Sequence, residues 1–91
     1  MGTPIEKIKA FTLNDNCVSI EIDGSLDRDF LTLRLLGENR NLLTSIVKPE
    51  YSVEICVFTD KPMFVELING NEHTVKYVTG SGTDYYKPET N

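Results

Sequence analysis

The sequence predicts an all-β fold: a small antiparallel β-sandwich of about seven strands, with an open β-barrel as the alternative. Turn-forming clusters recur along the chain, at Asn14-Asp15-Asn16, Asp23-Gly24-Ser25, Gly37-Glu38-Asn39, Lys48-Pro49-Glu50, Asp60-Lys61-Pro62 and Gly70-Asn71-Glu72. Between them lie β-branched, aromatic and aliphatic residues that alternate with polar ones at a period of two. The chain has 91 residues, which suits one core and leaves no room for a second.

The strands fall in order near Glu6 to Leu13, Cys17 to Asp23, Phe30 to Leu36, Leu42 to Val47, Tyr51 to Thr59, Met63 to Asn69 and Thr74 to Thr79. With Asn14-Asp15-Asn16 as a three-residue loop, Ala10 faces Ile20 and Ile8 faces Ile22 on the core side, and Lys9 faces Glu21 outside. The leucine-rich runs between Phe30 and Ile46 would also suit a short helix. Gly37 and Asn41 interrupt helical spacing, so they read as strands. With Asp60-Lys61-Pro62 as a hairpin loop, Val57 pairs with Val65 and Ile55 with Leu67 inside, while Phe58 pairs with Phe64 and Cys56 with Glu66 outside. With Gly70-Asn71-Glu72 as the next loop, Val65 meets Tyr77 and Leu67 meets Val75 inside, Glu66 meets Lys76 outside, and Val78 comes beside Phe64. The domain is thus expected over 1–79, with 80–91 as a glycine-bearing, polar extension, flexible or docked.

Composition narrows the functions. The chain is 40% hydrophobic and 25% charged, ordinary for a globular protein and too apolar for intrinsic disorder. A domain this short buries only about 60 to 65% of its unfolded surface, so a staple or a partner matters to it. Nine basic residues against fourteen acidic give a net charge of -5, with the cations scattered. That balance disfavours nucleic acid, which is bound first through its phosphates, and an anionic membrane. No apolar run approaches the roughly 18 to 20 residues that span a bilayer. The start Met-Gly-Thr-Pro-Ile-Glu-Lys lacks the apolar stretch of a secretory signal, so the chain reads as soluble and unexported.

Chemistry-bearing residues are few. By alternation Cys17 shares a face with Ser19 and Glu21, and Cys56 with Glu54 and Glu66, both away from the core. That is the wrong direction for a bridge between sheets, so two unpaired thiols in a reducing cytoplasm are expected. No CxxC spacing suggests zinc. His73 is the only histidine and ends a turn, where neither a nucleophile nor an orienting acid is assured. Asp27 and Asp29 would serve as an acid and base pair only in a cleft that raises one pKa. The loop from Asp23 to Asp29 spaces oxygens as a calcium loop does, but Arg28 stands where glycine is needed and Arg34 where a bidentate Glu belongs. Gly80-Ser81-Gly82 precedes no helix that would cradle a phosphate. No enzyme, cofactor or metal is therefore expected.

One surface stands out: the outward row Phe58, Phe64 and Val78, with Ile68 and Cys56 on the same side. A solvated face should be polar there. Either the chain covers the row, with the second sheet or the segment bearing Tyr85 and Tyr86, or a protein partner or second copy does. The reading is an immunoglobulin-like, non-enzymatic protein-protein interaction or structural module. Fold analogy extends it to a small component of a larger assembly such as a virion or surface appendage. The alternatives are a carbohydrate-binding module and a small acidic inhibitor of a basic partner.

Overall fold

The computed structural model describes residues 7–12 and 16–81, and these form an all-β sandwich. There are seven strands of five or six residues and a short eighth: β1 Ile8–Thr12, β2 Cys17–Ile22, β3 Leu31–Leu36, β4 Leu42–Val47, β5 Ser52–Cys56, β6 Phe64–Asn69, β7 Glu72–Tyr77 and β8 Thr79–Ser81. They form two sheets, β5-β2-β1-β8 and β4-β3-β6-β7, antiparallel except where β8 runs parallel to β1. The stretch from Leu31 to Ile46 is strand apart from its turn, since β3 and β4 form a hairpin closed between Gly37 and Asn41, while Phe30, expected to open the strand, ends a 3-10 turn. No described helix is long and apolar enough to cross a membrane.

Alternation builds the core. Ile8, Ala10, Val18, Ile20, Ile22, Ile55 and Val57 point inward from the first sheet and meet Leu31, Leu33, Leu35, Val65, Leu67 and Val78 of the second. The β1–β2 register is the expected one, Ile8 opposite Ile22, Lys9 opposite Glu21 and Ala10 opposite Ile20. Phe11 and Leu36 are buried as well but lie outside this cluster, because alternation points both away from it.

Two expected registers are corrected. The β5–β6 hairpin does not form: β5 pairs with β2 and β6 with β3, so residues 57–63 cross between the sheets. Val57 and Val65 both reach the core, but from opposite sheets, and Phe58 does not face Phe64. In the β6–β7 hairpin the loop is two residues, not three, and Asn69 pairs with Glu72. Gly70 takes a φ of 59°, as a type II′ turn requires at its first position and as glycine allows without strain. The shorter loop slips the register by one, which turns every β7 side chain to the other face. Phe64 therefore meets Tyr77, Glu66 meets Val75, and Lys76 lies opposite Val65. Val78 points inward and is 7% exposed, so it belongs to the core and not to an outward row. The first sheet also takes in Gly80 and Ser81, past the expected boundary at Thr79. Tyr85 and Tyr86 lie outside the described residues.

Candidate protein-binding face

Three rows of side chains cross the outer face of the β4-β3-β6-β7 sheet. Val47, Thr32, Ile68 and His73 form one, and Ser45, Arg34, Glu66 and Val75 the next. Leu36, Phe64 and Tyr77 form the third. The middle row is charged. Arg34 Nη1 lies 3.4 Å from Glu66 Oε1, and His73 Nδ1 lies 2.8 Å from Glu66 Oε2. The Glu66 side chain is only 13% exposed, so its two neighbours and the strands shield it from water. His73 is therefore an exposed strand residue held against a carboxylate, and not the end of the turn.

The third row is aromatic. The Phe64 and Tyr77 rings meet edge to face, with centroids 5.5 Å apart and planes at 73°, an arrangement worth about 0.5–1.5 kcal/mol beyond its buried area. The guanidinium of Arg40 sits 4.3 Å above the Phe64 ring, within cation-π range. Arg40 reaches it from the β3–β4 turn, where its φ of 64° and its N–H bond to the Gly37 carbonyl close the loop. The 57–63 crossing is tied to the same end. Asp60 accepts a hydrogen bond from Asn41, and the Met63 N–H donates to the Leu36 carbonyl. Tyr77 is 57% exposed, and Val75 beside it is 40% exposed.

Of the five residues expected on one outward row, Phe64 and Ile68 share this face. Phe58 stands on the 57–63 crossing, 84% exposed. Val78 is in the core, and Cys56 is on the other sheet. Alternation missed Val75 and Tyr77 because a two-residue turn was read as three. It had no signal for Arg40, whose contact is made by a turn.

Cys56 corrects a further expectation, since it is bonded to Cys17. Both cysteines do point away from the core, but on neighbouring strands of one sheet, where they lie opposite each other. Ile22 N–H donates to the Tyr51 carbonyl and Val57 N–H to the Asn16 carbonyl, so hydrogen-bonded pairs alternate along this ladder. Cys17 and Cys56 occupy a non-hydrogen-bonded, narrow position between them, with Cα atoms 4.0 Å apart. The expectation of free thiols falls, and with it the cysteine ground for a reducing cytoplasm.

The acidic loop makes its own turns. Asp23 accepts from the Ser25 N–H and hydroxyl. Asp27 accepts from the Asp29 N–H and caps the 3-10 turn Arg28–Phe30. Both aspartates of the 27/29 pair are exposed. Arg28 donates to the Lys48 and Pro49 carbonyls and latches the β4–β5 connection. The Tyr51 hydroxyl donates to the Leu26 carbonyl. No protein-family model, curated protein or solved structure matches the chain.

Proposed function

We propose that the protein is a non-catalytic binding module that meets a protein partner through the outer face of β4-β3-β6-β7, around Phe64, Val75 and Tyr77. The observation that carries this reading is the Arg40–Phe64–Tyr77 stack, with Val75 beside it, on a face that has water on its other side. Antiparallel sheets place polar residues on a solvated face, and aromatic and arginine side chains are the usual anchors of protein interfaces. Arg34 and Arg40 against Glu66 make this face neutral to weakly basic on a chain of charge -5, which suits a neutral or acidic partner.

Strand order supports an immunoglobulin-like architecture. The run β5-β2-β1 corresponds to strands E, B and A of that plan, and β4-β3-β6-β7 to C′, C, F and G. Many binding modules use this sandwich. Tyr77 stands edge-on to Phe64 and Tyr51 is engaged by its hydroxyl, neither of which offers the flat platform that sugar rings stack on.

The test compares the wild type with Tyr77→Asp and, as a control on the opposite face, Glu54→Lys, all shown folded by circular dichroism. Proteins captured from the native source are expected to be lost with Tyr77→Asp and kept with Glu54→Lys. Retention of the same proteins by Tyr77→Asp would sink the reading.

A further inference from the structure

We infer that a second copy of this chain pairs with the free edge of β4, so that two β4-β3-β6-β7 sheets join into one. The inference goes beyond the binding face above and uses a different surface, the backbone rim of the sheet.

Among the described residues the sandwich has four edge strands, β5 and β8 on one sheet and β4 and β7 on the other. An open edge invites another strand, and proteins blunt it with charge, proline, brevity or a cover. Three of the four are blunted. β8 has three residues. β5 carries Glu54 at its centre and is stapled by the disulfide. β7 carries Glu72, His73 and Lys76. β4 reads Leu-Leu-Thr-Ser-Ile-Val, with no charge, proline or glycine, the composition that most readily adds a strand. Leu42 and Val47 on it are 51% and 69% exposed.

The bonding groups are in place. Lys48 N–H donates to the Leu31 carbonyl, so Ile46 and Thr44, in step with it, turn their backbone groups toward β3, and Ser45 and Val47 turn theirs outward. The β3–β4 register shifts by one residue between Leu35 and Leu36, which makes Thr44 to Val47 the regular part of the edge. No hydrogen bond to the backbone of Ser45 or Val47 occurs among the described residues. An antiparallel pairing of Ser45 with the second copy's Val47, and of Val47 with its Ser45, satisfies all of these groups and brings the two Ile46 side chains together on the two-fold axis.

The self-complementary register selects a copy as the occupant, and the charges permit it. Two chains of charge -5 repel, and β4 is the one long edge among the described strands where they meet without charge. An antiparallel approach also sets the turn before β4, with Glu38 and Arg40, beside the other copy's Lys48 and Glu50, so that both signs of charge meet at each end. A parallel approach would set like charge beside like.

Sedimentation equilibrium of the full chain over a dilution series tests this. The wild type is expected at twice the 10.3 kDa chain mass. Val47→Lys places a charge on the edge, and Ser45→Pro removes an outward donor without touching the β3 ladder. Both are expected to be monomers, with Tyr77→Asp still a dimer. If Ser45→Pro fails to fold, Val47→Lys stands alone. A wild type that is monomeric throughout overturns the inference, as does a dimer that survives Val47→Lys. A dimer lost in Tyr77→Asp but kept in Val47→Lys moves the contact to the face and likewise overturns the edge.

Discussion

The two outer faces of the sandwich come from the same alternation of inward and outward residues and have opposite characters. On the β5-β2-β1-β8 sheet the outward positions are either closed or polar: Cys17 is bonded to Cys56, Phe11 and Ser19 are buried, and Lys9, Ser52 and Glu54 are exposed around them. On the β4-β3-β6-β7 sheet apolar outward positions are exposed, Val47, Val75 and Tyr77 among them, around the Arg34–Glu66–His73 cluster. A domain of this size has little stability to spare. The contrast implies that the first sheet supplies a rigid back, which leaves the second free to present apolar side chains that add little to folding.

Matched truncations break this division most directly. Phe11 and Tyr77 are both aromatic and both point outward, but Phe11 is fully buried and Tyr77 more than half exposed. Phe11→Ala is expected to cost about 3–5 kcal/mol of unfolding free energy. Tyr77→Ala forfeits chiefly its ring pair, about 0.5–1.5 kcal/mol. Urea titrations that gave equal costs would end the distinction between a closed and an open face.

The disulfide comes next. It joins residues 39 apart in sequence, and constraining a loop of that length in the unfolded chain stabilises the fold by about 3–4 kcal/mol. The double variant Cys17→Ser, Cys56→Ser should lose about that much, read as a lower urea midpoint against the oxidised wild type. A loss under about 1 kcal/mol would place the rigidity of the first sheet elsewhere.

How far these faces could be read from sequence depended on what decides each pairing. The β1–β2 register follows from local facts, since Ile8, Ala10, Ile20 and Ile22 alternate toward one side across a short loop. The β6–β7 register also looks local, but it turns on whether the loop takes two residues or three. A three-residue loop turns Val75 and Tyr77 inward, and these are more apolar than Thr74 and Lys76, which the two-residue loop turns inward. β7 is an edge strand, however, and its inward side is only half-buried, so Thr74 and Lys76 are tolerated there. The β5–β6 crossing was not legible at all. Asp60-Lys61-Pro62 suits a hairpin as well as a passage between sheets, and what decides is the pairing of β5 with β2, a contact distant in sequence. The same distance hid the disulfide: the parity of both cysteines was readable, their adjacency was not.

Within the open face, Glu66 is the joint between strands. Its carboxylate holds Arg34 of β3 and His73 of β7. Glu66→Gln keeps the shape, removes the charge, and should cost about 1 kcal/mol, in the range of a partly exposed ion pair. His73→Ala should cost less, because the Arg34 contact remains. A larger loss for His73→Ala would shift the weight of this row toward the β7 edge.

The smallest effect concerns the link between the two sheets. Lys7, at the entry to β1, lies 2.7 Å from Glu72 at the start of β7. The hydrogen bond from its ammonium, and then its charge, hold the Glu72 carboxyl below the usual carboxylate range. A carboxyl whose pKa is lower folded than unfolded stabilises the fold above its unfolded pKa, and that contribution fades as the pH falls through the lowered folded value. Glu72 is exposed, so salt and water screen the effect and the shift in stability is slight. Carbon-13 NMR titration of the Glu72 carboxyl should give a pKa that rises in Lys7→Ala, with a shallower loss of stability in acid. An unchanged titration would mean that the open sheet holds its β7 edge without help from the closed one, and that the Lys7–Glu72 contact does not couple the two.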